Sequence, residues 1–244
     1  MAREHLMSAV TTPNWHWNRF ADGAALADAL ADRVAQELAR AIASRGAALI
    51  AVSGGTTPGR FFEVLSNRDL DWAKVTVTLV DERFVPATSP RSNSALVAAT
   101  LLQNRARAAD FVPLYRASAS AEKAALEAGA DLEKMSWPLD AAVLGMGGDG
   151  HTASFFPDAG GLDALLDPGS DKSILAVDAP GAGEPRLTLS LPRLADARFV
   201  ALHIEGNTKR DVLEGALFSI ADQKLPVRRV LDAAQRPVEI FWAP

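Results

Sequence analysis

Short, uniformly apolar runs that stop at glycine-rich or charged turns constrain this chain more than any other feature. The run Ala47-Ala48-Leu49-Ile50-Ala51-Val52 ends at Ser53-Gly54-Gly55, and Ala141-Ala142-Val143-Leu144 ends at Gly145. Runs of this length with no polar alternation suit strands buried on both faces, the condition of a parallel sheet covered by helices.

The segments between such runs carry helical periodicity. Across residues 22–46, Leu26, Leu30, Val34, Leu38 and Ile42 recur every four positions between a capping Asp22 and a terminal Gly46, which predicts a helix with one buried face. Thr57 and Pro58 open another helix, through a capping hydroxyl and a proline at the first helical position. Further helices are expected over 92–102, 118–135, 208–217 and 227–233. Strands are expected over 75–80, 141–144, 174–177, 187–191, 199–204 and 238–242. The alternation predicts an α/β fold, Rossmann-like, with a largely parallel central sheet flanked by helices on both faces. Ligands in that architecture bind at the carboxyl ends of strands. Segments 87–91 and 168–185 are expected to be loose; the second holds several Gly and Pro residues and suits a plain surface loop or a flap over the site.

No internal repeat divides the 244 residues, and 48% hydrophobic with 23% charged residues is the make-up of one ordinary globular domain. A net charge of -5 offers no basic field for nucleic acid or an anionic membrane, so an anionic ligand must be held by local donors. The absence of cysteine excludes disulfides, thiolate metal sites and a cysteine nucleophile. Residues 1–10 lack the apolar core of a signal peptide, and no apolar run approaches the ~20 residues needed to cross a bilayer. A cytoplasmic location is the expectation.

Four turns that follow predicted strands carry the candidate chemistry, and the architecture gathers them on one sheet edge. In the first, Ser53, Gly54, Gly55, Thr56 and Thr57 offer close-approaching amides, hydroxyls and a helix N-terminus to a phosphate; a plain tight turn with a capped helix fits the same residues. In the second, Asp81-Glu82-Arg83, the Arg83 fork suits a phosphate or a developing oxyanion, with Asp81 to position it or to act on a proton. A solvated turn is the alternative. The third, Gly145-Met146-Gly147-Gly148-Asp149-Gly150-His151, satisfies the dinucleotide fingerprint literally, but Pro157 and Gly160-Gly161 stop any helix within about two turns, so the context fails.

Within that third turn, Asp149 is placed to accept the Nδ1 proton of His151, leaving the other ring nitrogen to take a proton from water. His5, His16 and His203 lack such company and read as surface or packing residues. In the fourth turn, Glu205-Gly206-Asn207-Thr208-Lys209, Asn207 is the expected cap and Lys209 a cation beside the same edge. Arg186, entering strand 187–191, is a further cation. No Gly-x-Ser-x-Gly elbow and no metal-ligand spacing is present, so no metal is expected.

Together these segments, with Ser92-Asn93, Thr152-Ala153-Ser154-Phe155-Phe156-Pro157 and Arg186-Leu187-Thr188-Leu189-Ser190, resemble the 6-phosphogluconolactonases of the wider glucosamine-6-phosphate isomerase/6-phosphogluconolactonase group. The resemblance spans nearly the whole chain in order. It implies a sugar-phosphate isomerase/CoA-transferase-like fold, a monomer, and hydrolysis of 6-phospho-D-glucono-1,5-lactone to 6-phosphogluconate in the oxidative pentose phosphate pathway, without metal or organic cofactor. By analogy His151 is the general base, Asp149 orients it, and Arg83 or nearby amides meet the carbonyl oxygen. Ser53 to Thr57, Arg186 and Lys209 hold the 6-phosphate, with Asp81 and Gly147 among the substrate-binding positions.

The nearest rival in the group is the amino-sugar phosphate deaminase, whose corresponding segment closes with Asn-Glu-Pro where this chain has Phe155-Phe156-Pro157. The missing carboxylate disfavours ring-opening chemistry. A non-catalytic sugar-phosphate sensor is the third reading, opposed by the retention of Asp149 and His151 and by the lack of an attached DNA-binding segment.

Overall fold

Asp22 accepts hydrogen bonds from the amides of Ala24 and Ala25 at 2.9 Å, and Gly46 closes the same helix in the left-handed region at φ 81°. The long helix predicted from its stripe therefore forms with both expected ends. The computed structural model describes residues 14–219, 222 and 224–244; His5 and the signal-peptide reading of residues 1–10 lie outside them.

In chain order the first half runs β1 (Trp15–Arg19), α1 (Gly23–Arg45), β2 (Ala48–Val52), α2 (Gly59–Ser66), β3 (Val75–Leu79), β4 (Asp81–Arg83), α3 (Asn93–Thr100), β5 (Asp110–Val112), α4 (Ala121–Leu132) and β6 (Ala141–Leu144). The second half adds α5 (Leu162–Leu165), β7 (Ile174–Val177), β8 (Arg186–Leu189), α6 (Leu191–Ala195), β9 (Val200–Glu205), α7 (Asn207–Phe218), α8 (Pro226–Ala233) and β10 (Val238–Ala243).

Seven strands form one sheet in the order β1-β10-β9-β6-β2-β3-β5, with every pairing parallel. The central strands β2 and β6 are buried throughout, as their unbroken apolar runs require when helices cover both faces. On α1, Leu26, Leu30, Val34 and Leu38 are fully buried and Ile42 is half-buried against the same core. Each such leucine contributes roughly 1.5–3 kcal/mol of burial free energy, which holds the helix to the sheet.

The sheet departs from expectation in one respect. Segment 174–177 is a strand as expected and the expected 187–191 is one only as far as Leu189, because Ser190 and Leu191 turn into α6; β7 and β8 pair antiparallel with β4 in a separate three-stranded sheet, order β4-β8-β7. The chain leaves the main sheet at Val80, whose amide still bonds Val52 O at 2.9 Å while its carbonyl accepts from Leu189 N at 2.8 Å. Apolar content identifies these strands locally, whereas their partners are set by pairing across the chain. Segment 168–185 accordingly contains β7 rather than being a free loop, and its Glu184 forms an ion pair with Arg91 of segment 87–91.

Two caps also differ. At the start of α2 the cap position is Pro58, with no side-chain hydrogen bond, and the Thr57 hydroxyl accepts from Lys209 Nζ at 3.2 Å. At α7 the cap position is Gly206 at φ 91°, so Asn207 is the first helical residue. Among the described residues no helix is long and apolar enough to cross a membrane.

Candidate active site

Strand order reverses between β2 and β6: the chain proceeds from β2 outward to β3 and β5, then returns to the other side of β2 with β6. Loops leaving the two strands diverge there and open a crevice at the carboxyl edge. Ser53, just past β2, bridges it, its Oγ accepting from Gly145 N at 3.1 Å and its amide donating to Val143 O at 3.0 Å. The resulting pocket of about 180 Å³ is lined by Ser53 to Thr57, Asp81, Arg83, Gly147, His151, Arg186 and Lys209. By the space one water needs, this holds on the order of ten waters, the scale of one sugar phosphate. Asp149 stands behind His151 rather than on the pocket wall.

The turn after β6 builds the His151 arrangement locally. Gly147 N donates to His151 O at 2.9 Å and Thr152 Oγ1 to Gly145 O at 2.7 Å, closing the turn. Asp149 Oδ1 lies 2.6 Å from His151 Nδ1 and also accepts from the His151 amide at 3.2 Å. The pair packs directly on Gly147, where a Cβ would come within 2.2 Å of the His151 ring. No helix follows Gly150; the chain makes a bridge between Thr152 and Phe155, in keeping with the failed dinucleotide context.

The cations come from separate elements. Arg83 on β4 and Arg186 on β8 stand opposite each other in the antiparallel register, an arrangement that is unfavourable for like charges unless something neutralises them. Both Nε atoms are buried without a hydrogen-bond partner among the described residues. Burial makes the Arg186 guanidinium easier to deprotonate than usual and Arg83 adds to this, while the charge of Asp81 opposes it. Lys209 is pushed below the ordinary lysine range by burial, partly offset by Glu205. Closely spaced, part-buried cations on a pocket wall are suited to an oxyanion or a phosphate.

Asp81 does not hold Arg83. Its Oδ2 accepts from Ser154 Oγ at 2.6 Å, and Arg83 Nη1 donates instead to Asn93 Oδ1 at 2.9 Å and Arg91 O at 2.6 Å. Asn93 is thus a site residue whose role the sequence reading missed. Its Nδ2 donates to Asp81 O at 2.8 Å, and its side chain packs so closely on Gly54 that a Cβ there would fall 1.9 Å from Oδ1. The Ser53–Thr57 loop, Asn93 and Arg83 form one contiguous unit.

Glu82, read as part of a charged turn, is fully buried. Its Oε1 accepts from the amides of Arg83 and Asn93, and its Oε2 from Ser94 N and the hydroxyls of Ser92 and Ser94, all at 2.7–2.9 Å. His203 was also under-read: it is buried, its Nε2 lies 3.0 Å from Glu205 Oε1, and it lines the pocket. Its pKa is lowered by desolvation against the opposing pull of Glu205. His16 is exposed, as expected. Among the described residues no group of three or more His, Cys, Asp or Glu is placed to hold a metal ion.

A family model described as glucosamine-6-phosphate isomerases/6-phosphogluconolactonase matches residues 21–242. The chain belongs to this family. Similar members include the 6-phosphogluconolactonase of Mesorhizobium japonicum, 60% identical over 244 residues and covering 100% of both chains. That of Rhizobium meliloti is 52% identical over 92% of this chain and 97% of its own. The crystal structure of a 6-phosphogluconolactonase from Shewanella baltica superposes with a TM-score of 0.90 at 38% identity, covering 94% of this chain and 98% of that one. The parallel sheet and its flanking helices are therefore the family's architecture.

Proposed function

We propose that the protein hydrolyses 6-phospho-D-glucono-1,5-lactone to 6-phospho-D-gluconate by general-base activation of water. The observation that carries the mechanism is the Asp149–His151 contact of 2.6 Å at a pocket that also presents Arg83, Arg186 and Lys209. Full-length relatives named 6-phosphogluconolactonase support the substrate.

With Nδ1 tied to Asp149, the imidazole offers Nε2 to a water, takes its proton as the oxygen adds to the lactone carbonyl, and returns that proton to the ring oxygen as the C–O bond breaks. Charge develops on the carbonyl oxygen, and Arg83, steadied by Asn93, is assigned to meet it. The loop from Ser53 to Thr57, with Arg186 and Lys209, is assigned to the 6-phosphate. A lactone is an activated ester, so a positioned base and an electrophile suffice without a covalent nucleophile.

A coupled assay with freshly generated lactone, run beside one with glucosamine 6-phosphate, tests the reading: turnover of the lactone alone is expected, and turnover of the amino sugar alone would replace lactonase by deaminase. Arg186→Ala and Lys209→Ala are each expected to raise KM at least tenfold with a smaller change in kcat, because a remote phosphate anchor contributes uniform binding. Unchanged KM in both would remove them from phosphate recognition. Gly147→Ala drives a methyl into the His151 ring, and a displacement of this kind is expected to lower kcat by roughly a hundredfold. Its thermal midpoint should stay near wild type; full turnover would show that the base tolerates displacement.

A further inference from the structure

The Phe156 ring lies against both the His151 imidazole and the Arg186 guanidinium. Its centroid is 4.3 Å from that of the His151 imidazole, with the planes inclined by 31°. The guanidinium carbon of Arg186 lies 5.4 Å from the same ring. The chain turns back through Ala153, a non-glycine residue at φ 51°, and the Thr152–Phe155 bridge, so Phe156 returns onto the histidine five positions earlier.

The ring is anchored away from the main core. Phe156 is 3% exposed and packs with Ala159, Val177, Ala179 and Ala182 in a small satellite cluster, with Leu165 against it. Ala182 also supplies the carbonyl that accepts from Arg186 Nη2 at 2.9 Å. One small apolar body therefore holds the Phe156 ring and one end of the arginine fork.

We infer that Phe156 is a positioning residue that fixes the His151 ring and the Arg186 guanidinium relative to each other. The kinetic expression of this inference rests on the lactonase reading above; the geometry does not. Asp149 restrains the imidazole at one edge only, and a ring held by a single hydrogen bond still swings about it. Contact with an aromatic ring removes that freedom while leaving Nε2 unobstructed, and aromatic pairs favour such offset or tilted arrangements. Arg186 has a long side chain with many rotamers, a single described hydrogen bond, and Arg83 repelling it from across the strand pair. An aromatic ring within about 6 Å steadies a guanidinium electrostatically. An aliphatic side chain fills the satellite cluster but provides neither contact.

Phe156→Leu tests this. It is expected to lower kcat roughly ten- to a hundredfold through misplacement of the base and to raise KM severalfold through Arg186, with the thermal midpoint close to wild type. In a double-mutant cycle the kcat effect should vanish in a His151→Ala background and the KM effect in an Arg186→Ala background, because residues acting through one another are not additive. Losses that persist undiminished in both backgrounds would reveal a general packing role and overturn the inference. Phe156→Met retains more side-chain length and reads the same cycle if the leucine variant melts early.

Carbon-detected NMR of the His151 ring supplies the readout independent of turnover. One sharp, ring-current-shifted signal is expected in the wild-type protein and a broadened or doubled one in the variant. A single sharp signal in the variant sinks the positioning role whatever the activity, whereas a wild-type protein without lactone turnover sinks the lactonase reading alone.

Discussion

His151→Ala is expected to lower lactone turnover by roughly 10²–10⁴-fold, the usual contribution of a positioned general base. Folding and affinity for 6-phosphogluconate should be nearly unchanged. The imidazole is about one-third exposed, with 29% of its side-chain surface accessible, so truncation leaves no closed cavity and no buried charge. The loss should therefore fall on kcat, measured fast enough to subtract spontaneous hydrolysis, with KM little altered since Arg186 and Lys209 remain in place. Residual catalysis should reflect the cations and the bound geometry alone. Near-wild-type kcat would remove His151 from the mechanism and shift the search for the base to Asp81 and His203, the other proton-accepting side chains on the pocket wall.

Glu82→Ala should lower stability by about 3–5 kcal/mol, since each buried donor left unpaired costs about 1–3 kcal/mol. The carboxylate is fully buried and satisfies the first amides of α3, Asn93 and Ser94, together with the Arg83 amide and two serine hydroxyls. Its removal leaves these donors dry and unpaired at a helix N-terminus, where the negative charge is also favoured. For a domain of this size about 2–4 °C of thermal midpoint accompanies each kcal/mol, so a fall on the order of 10 °C is expected. Glu82→Gln keeps the volume but turns an amide donor toward donors, and should recover only part of the loss. Thermal or urea unfolding measures both variants. A change below about 1 kcal/mol in the alanine variant would mean that water substitutes for the carboxylate, and that Arg83 and Asn93 are held by other contacts.

How much of the molecule was legible follows from how local each determinant is. The ends of α1 were readable because Asp22 caps amides two and three residues ahead and Gly46 takes the left-handed φ that stops the helix. Ser92 and Ser120 likewise cap α3 and α4, which fall inside the expected ranges 92–102 and 118–135 and are shorter than them. β4 and β5 escaped notice since three-residue strands carry no periodicity. β1 carries the apolar/polar alternation of a half-buried strand in Trp15-His16-Trp17-Asn18, a signal that attention to uniformly apolar runs passes over. Thr57 had the right chemistry for a cap, yet α2 starts after Pro58 with no side-chain cap and the Thr57 hydroxyl meets Lys209, 152 residues away in sequence. That long-range contact is set by packing and leaves no local signal.

The same division runs through the site. Asp149 and His151 are two residues apart in one turn, so chemical type and spacing alone were enough to pair them. The apolar runs of β2 and β6 likewise require a sheet covered on both faces, which sends their turns to the carboxyl edge. Pairing between distant segments decided the rest: Arg83 opposite Arg186, Asn93 rather than Asp81 on the Arg83 fork, Glu82 buried beneath α3, and Phe156 against both His151 and Arg186. A residue's type and near neighbours specify what it can donate, accept or bury. Which distant partner it meets depends on strand register and on how the small antiparallel sheet packs over the large parallel one, and those are properties of the whole folded chain.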